Sequence, residues 1–399
     1  MKAFIIYITI ISFALQTDGQ KIKYNIIISD AEKQTQVMLD AIAQKKNVVN
    51  NPALVSPRTL EKEELKLVPA KDWTSGFFPG QLWLLYELTG KETWKQQAEA
   101  FTKSIESQQF DPTTHDLGFK IYCSIGTGYK LTEDTHYKAV IIQAAKTLSR
   151  RFNAATGTIK SWDNTKKWAY PVIIDNMMNL ELLFEATKLS GDSSFYHIAV
   201  THANTTMKNH FRGDYSSYHV VDYDTTGPGK VIKKTTHQGY ADESAWSRGQ
   251  AWGLYGYTMC YRETKNIAYL RQAEKIAAYI FNNPDMPKDL VPYWDFNAPS
   301  IPNEERDVSA ATVMASALYE LSLYSDNKKS YLSNADKILK NVIAAYRAPI
   351  GSSKGFLLLH STGSKPGGFE IDAPLSYADY YYMEAIARSK KLKNKKPLF

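Results

Sequence analysis

An aromatic residue followed four and seven positions later by apolar or small residues recurs along this chain. The sets are Trp94, Ala98 and Phe101; Tyr137, Ile141 and Ala144; Phe195, Ala199 and, more loosely, His202; Tyr269, Ala273 and Ile276; and Tyr331, Ala335 and Ile338. Positions so spaced share one face of a helix, so each set predicts an amphipathic helix resting on an apolar layer. Several are preceded by a second apolar helix and a short polar turn: 80–88 before Gly90, 176–189 before Gly191, and 315–324 before Asp326, with 377–387 as a last helix of that kind. Repeated helical hairpins form either an α-solenoid or a closed α/α toroid. A solenoid keeps its period nearly fixed, whereas successive copies here start 43, 58, 74 and 62 residues apart, as functional loops inserted between hairpins would cause. The expectation is an all-α toroid of roughly six hairpins, with the strand-like stretches 218–224 and 355–360 as loop hairpins.

Charge sorts the possible partners. The formal net charge is +7, and Arg388, Lys390, Lys391, Lys393, Lys395 and Lys396 supply six of those charges, leaving +1 for everything else. A near-neutral body argues against a nucleic-acid enzyme, which must neutralise many phosphates. The cluster reads as a solvated basic tail over 391–399. At the other end, Met1 and Lys2 precede an apolar run over 3–15 and a polar stretch ending at Gln20. That order predicts a secretory signal peptide over 1–20, with an N-terminal anchor as the alternative, and a periplasmic or secreted body over 21–390 without a membrane span. Cys123 and Cys260 are too few for a disulfide framework or a four-thiolate zinc site, and the sequence leaves their pairing open.

Cofactor motifs are absent. Gly126 and Gly128 lack the third glycine of a dinucleotide loop, since position 131 is Leu131, and no P-loop or HExxH occurs. No cofactor or metal is expected. Acids, aromatics and one arginine remain between the helices. Asp116 follows His115 in a loop, where a carboxylate bonding its own backbone is the simplest reading. Asp175 follows Val172, Ile173 and Ile174 and opens a helix, so an N-cap role competes with catalysis. Apolar neighbours would keep its proton on, as a general acid near neutral pH requires. Arg248 and Trp252 lie four apart and share a face if helical, a pairing suited to a carboxylate-bearing sugar ring. The competing reading pairs Arg248 with Asp242 or Glu243 and puts Trp252 in the core. Gln238 sits in the same segment, Trp73 is either a sugar platform or core, and His219 either a site residue or an ordinary loop histidine.

In combination, DWTSGFFPGQLW (72–83), HDLGF (115–119), IIDNMMNLELL (173–183) and HQGYADESAWSRGQAWGLYG (237–256) resemble the unsaturated glucuronyl hydrolases, family 88 of the glycoside hydrolases, over roughly residues 35–390. Family 105, the unsaturated rhamnogalacturonyl hydrolases, shares the fold and the acid pair, but the arginine and tryptophan segment favours family 88. The resemblance implies an (α/α)6 barrel, Asp175 as general acid and base, and Asp116 as the second essential carboxylate. It further implies that Trp73, His115, His219, Gln238, Arg248 and Trp252 line the sugar pocket. The implied substrates are unsaturated uronate-terminated oligosaccharides left by polysaccharide lyases acting on chondroitin, hyaluronan or heparin. A carbohydrate-binding protein without turnover is the rival of another class. The loop 360–366 resembles a serine and lysine loop that binds sulfate in some members, which makes Ser361, Ser364 and Lys365 candidate contacts, with Lys365 one position nearer Ser364 than that pattern has it.

Overall fold

The structure, a computed structural model, describes residues 21–399 apart from 164 and 228, so the expected signal peptide lies outside the described residues. Among these, the helices in chain order are α1 (Tyr24–Val49), α2 (Phe77–Thr89), α3 (Glu92–Ile105), α4 (Thr127–Thr132), α5 (Thr135–Ser149), α6 (Asn176–Ser190), α7 (Ser193–Asn209), α8 (Ser247–Thr264), α9 (Ile267–Asn282), α10 (Val308–Leu321), α11 (Lys328–Ala345) and α12 (Ser376–Lys393). A π-helical segment, Gly118–Gly126, runs directly into α4.

Six units form an inner ring: α2, the π-helical segment with α4, α6, α8, α10 and α12 each pack on the next, and α12 packs on α2. That last contact closes an (α/α)6 barrel and excludes an open solenoid. Every residue of α10 is buried, and α8 is buried from Ser247 to Cys260, as helices surrounded by protein must be. The outer helices bury only one stripe. In α11 it is Tyr331, Ala335, Ile338, Leu339 and Val342, and the repeated aromatic triads occupy the same stripe in α5, α7 and α9, as Trp94 and Ala98 do in α3 with Phe101 half-buried beside them. The first outer helix joins the last inner one through Tyr24 Oη and Ser389 Oγ, 2.8 Å apart.

The hairpin turns follow from local chemistry. Gly90 and Gly191 end α2 and α6 in the left-handed region (φ 68° and 77°), which spares the chain a Cβ clash. Asp192 then caps α7 by accepting from the Ser194 N–H, and Asn266 caps α9 by accepting from the Ala268 N–H.

Short antiparallel strands decorate the barrel: β1 (Leu54–Glu61) with β2 (Glu64–Pro69), β3 (Phe152–Asn153) with β4 (Thr158–Ile159), and a three-stranded sheet of β5 (Pro171–Ile173), β6 (Val220–Tyr223) and β7 (Val231–Thr235). The stretch expected as a loop hairpin at 218–224 is thus the middle strand of a sheet. The stretch 355–360 forms no strand and holds only an isolated bridge, Leu358 to Arg347.

The basic tail needs correcting. Helix α12 runs to Lys393, across the expected boundary at 390, and its period turns Arg388 inward, where Nη1 donates to Glu320 Oε2 at 3.1 Å and Nη2 to Tyr255 Oη at 2.8 Å. Lys391 pairs with Glu87 at 2.6 Å, and Phe399 folds back beneath the Arg262 guanidinium, 4.1 Å from its ring centroid. Cys123 and Cys260 are both buried and free.

Candidate active site

A cavity of about 190 Å³ opens where the inner helices begin. Asp175 immediately precedes α6, Arg248 and Tyr377 are the second residues of α8 and α12, and Asp116 lies two residues before the π-helical segment. Parallel inner helices therefore aim their N-termini, with their partial positive charge, at one space, which favours an anionic guest.

Asp175 is 7% exposed. It already has helical backbone angles (φ −57°, ψ −26°) and its side chain makes no cap hydrogen bond, so the N-cap reading fails and the carboxyl faces the cavity. Burial pushes its pKa up to about 7, with Arg248 pulling down and the negative charge of Asp116 pushing further up. The three-stranded sheet brings His219 alongside: Ile173 pairs with Val220, and the Ile174 N–H donates to the His219 carbonyl at 3.1 Å. His219 Nδ1 accepts from the backbone N–H groups of His237 and Gln238, at 3.2 and 3.1 Å. In the neutral ring the proton therefore sits on Nε2, which faces Asp175 Oδ2 at 3.7 Å. Burial holds the His219 pKa well below the ordinary histidine value, so the ring stays neutral.

Asp116 does not bond its own backbone. Its Oδ2 accepts from Thr114 Oγ1 at 2.8 Å, and its Oδ1 lies 3.2 Å from His115 Nε2. His115 is fixed from behind, because Nδ1 donates to the Ser161 carbonyl at 2.9 Å. Ser161 Oγ in turn accepts from the Ile173 N–H and from Asn176 Nδ2, both at 2.9 Å, which ties the Asp116 loop to the two residues that flank Ile174 and Asp175.

Arg248 pairs with neither Asp242 nor Glu243. Its Nη1 meets Asp307 Oδ2 at 2.6 Å and donates to the Thr362 carbonyl, while Nη2 donates to the Gly363 carbonyl. The guanidinium stacks on Trp246, 4.5 Å from the ring centroid. Gln238 Nε2 donates to the same Gly363 carbonyl at 2.9 Å, so the two residues together fix the 361–369 loop as one wall. Trp73 lines the cavity and leans on Tyr377, centroids 5.0 Å apart.

Other expected contacts lie elsewhere. Trp252 is fully buried between Phe119 and Tyr381 and stays behind the cavity wall. Its indole N–H favours the Asp175 carboxylate without reaching full hydrogen-bond geometry. Ser361 Oγ accepts from the Ser309 N–H and Ser364 Oγ from the Gly367 N–H. Lys365 is clamped by Glu304 and Glu305. None of the three lines the cavity; the loop contributes Gly363, Phe369 and Glu370 instead.

Sequence reasoning missed Arg58, Trp162, His237, Phe369, Glu370 and Tyr377. Arg58 on β1 bonds Glu370 through Nε at 2.5 Å and Asp72 through Nη1 at 2.9 Å, a union of distant segments that no local pattern announces. His237 adjoins Gln238 and was within reach. Among the described residues no group of three His, Cys, Asp or Glu is arranged to hold a metal ion, and no helix is long and apolar enough to cross a membrane.

Known proteins share this architecture. The sequence pattern of Glycosyl Hydrolase Family 88 matches residues 47–392. An unsaturated glucuronyl hydrolase of Formosa agariphila is 52% identical over 337 residues, 84% of either chain. An unsaturated chondroitin disaccharide hydrolase of Streptococcus pneumoniae is 33% identical over 325 residues, 79% of this chain and 81% of that one. The crystal structure of an unsaturated glucuronyl hydrolase specific for heparin superposes with a TM-score of 0.87 at 45% identity, covering 93% of this chain and 98% of that one.

Proposed function

The chain belongs to Glycosyl Hydrolase Family 88, and on that premise we propose that its cavity hydrates the C4=C5 double bond of an unsaturated glucuronyl residue at the end of a glycosaminoglycan oligosaccharide. That alkene, joined to the ring oxygen, is a vinyl ether, and protonating it is the hard step. The observation that carries the reading is the buried Asp175 carboxyl, whose pKa near 7 lets it hold a proton and then take one back at the same pH.

Neutral Asp175 gives its proton to C4, and positive charge develops over C5 and the ring oxygen. Asp116, in the same cavity, stabilises that charge. The Asp175 carboxylate then takes a proton from water as the water oxygen bonds C5. His219 keeps Nε2–H toward Asp175 and supports the anion between the two steps. The hemiketal opens to a ketone at C5, leaving C1 as a hemiacetal that releases the neighbouring sugar. The glycosidic bond is never attacked directly, so the carboxylate spacing that separates retaining from inverting glycosidases does not apply.

Substrates are fragments of chondroitin, hyaluronan or heparin. The apolar run at 3–15 supports export to the periplasm or beyond, which N-terminal sequencing of the protein recovered from that compartment tests. The activity test is loss of the ultraviolet absorbance of the conjugated alkene when purified protein meets unsaturated disaccharides from each polymer. Persistence of that signal with all of them overturns the reading. Consumption of unsaturated rhamnogalacturonan disaccharides alone would assign the neighbouring activity, and binding without signal loss a non-catalytic carbohydrate receptor.

A further inference from the structure

We infer that Tyr377 binds the substrate's carboxylate through its phenolic hydroxyl, a contact that rests on the glucuronyl reading above and adds a residue to it. Tyr377 lines the cavity, yet the residue is fully buried and its Oη has no hydrogen-bond partner. A buried hydroxyl without a partner costs free energy, and a fold that keeps one has left a donor unspent.

The charged surroundings of the hydroxyl place it toward the cavity rather than the core. The charged groups that act on it are Arg248, Glu370, Asp307 and Arg58, three of which line the same cavity. Its ring is held by neighbours on several sides: Trp73 at 5.0 Å and Phe77 at 5.9 Å between centroids, with the Arg248 guanidinium 5.3 Å from the ring centroid. The donor is thus preorganised before any sugar arrives.

The nearby cations are already engaged with protein groups. Arg248 gives Nη1 to Asp307 and the Thr362 carbonyl and Nη2 to the Gly363 carbonyl. Arg58 gives Nε and both Nη atoms to Glu370 and Asp72, and Gln238 Nε2 donates to Gly363. A uronate carboxylate in this corner feels two positive charges and is seated best by a hydrogen that no protein acceptor shares. The phenol supplies it, and burial keeps that proton on across the working pH range.

The test is Tyr377→Phe, which keeps the ring and its packing. For an unsaturated glucuronyl disaccharide, KM is expected to rise roughly tenfold or more, with a smaller change in kcat, the loss expected when a hydrogen bond to a charged group is removed. The thermal midpoint should stay level or rise, since only an unpartnered hydroxyl leaves. With the C6 methyl ester of the same disaccharide, parent and variant should converge to within about twofold. An unchanged KM with the free acid overturns the inference. An equal penalty with acid and ester also overturns it, by placing the hydroxyl on some other substrate atom. If the parent protein consumes no unsaturated glucuronyl disaccharide, the proposed function fails first, and the two failures are told apart.

Discussion

Arg248 Nη1 and Asp307 Oδ2 form an ion pair 2.6 Å long whose side chains are 1% and 0% exposed, with Arg248 in the cavity wall and Asp307 behind it. The other oxygen of Asp307 caps α10, accepting from the Ser309 N–H at 3.1 Å. One carboxylate thus starts a barrel helix and anchors the guanidinium that holds the 361–369 loop.

Arg248→Lys should break this arrangement while keeping the charge. A lysine offers a point charge rather than a planar fork, so it cannot meet Asp307 and both loop carbonyls together. The expected result is a loss of about 1–3 kcal/mol in urea denaturation, with a raised KM because the loop wall is released. Parent-like stability and kinetics would show that the fork is dispensable.

Asp175→Asn removes the proton donor and preserves the shape. Turnover of unsaturated disaccharides, followed by alkene absorbance, should fall by about 10³-fold, while the far-ultraviolet circular dichroism stays unchanged. Retained turnover would shift the proton transfer to another residue.

The pH dependence follows from the same carboxyl. Only its protonated form can donate, so kcat/KM should decline above about pH 7 with a slope of one proton. The Asp175→Asn variant should lose this limb.

Stability should follow with a definite sign. The folded pKa of Asp175 is raised to about 7, against an unfolded value near ~3.9. The folded state therefore binds the extra proton between those values. The resulting stability is fully present below about pH 4 and is lost as the pH rises through 7. Calorimetry should find Asp175→Asn gaining on the parent across that window, by at most about 4 kcal/mol. A gap that does not change with pH would mean that the carboxyl is not held neutral by its surroundings.

Lys365→Ala should leave the ratio of KM values for sulfated and unsulfated disaccharides within about twofold, because its ammonium is held by Glu304 and Glu305 away from the cavity. A selective loss of the sulfated substrate would show that the lysine swings free when sugar binds.

Much of the outer barrel was legible because each outer helix is half wet, and the contrast between faces is written in the period of its apolar residues. Trp94, Tyr137, Phe195, Tyr269 and Tyr331 mark that stripe. Inner helices carry less contrast. The π-helical stretch 118–126 is buried throughout, and the loop expected around His115 and Asp116 gives no sign of it. Arg248 and Trp252 do share a helix, as their spacing predicts, but four residues of rise carry Trp252 about 6 Å deeper along the barrel. Hence the arginine meets the cavity and the indole backs it. Ser361, Ser364 and Lys365 were drawn from a pattern of residue types, and the pattern held no information about Glu304 and Glu305, which come from another segment.

What the sequence by itself determined is the outer helices of the repeat and several of their inner partners, the acids of the site and the family, because periodicity, turn chemistry and motif order are local properties of the chain. What only the tertiary structure decided is which of those residues face one another: Asp175 near His219, Arg248 on Asp307, Arg58 on Glu370, and Tyr377 with its hydroxyl unspent. The physical reason is that charge, burial and hydrogen bonding at the site arise between segments tens to hundreds of residues apart. They are fixed only when α12 packs on α2 and the ring closes.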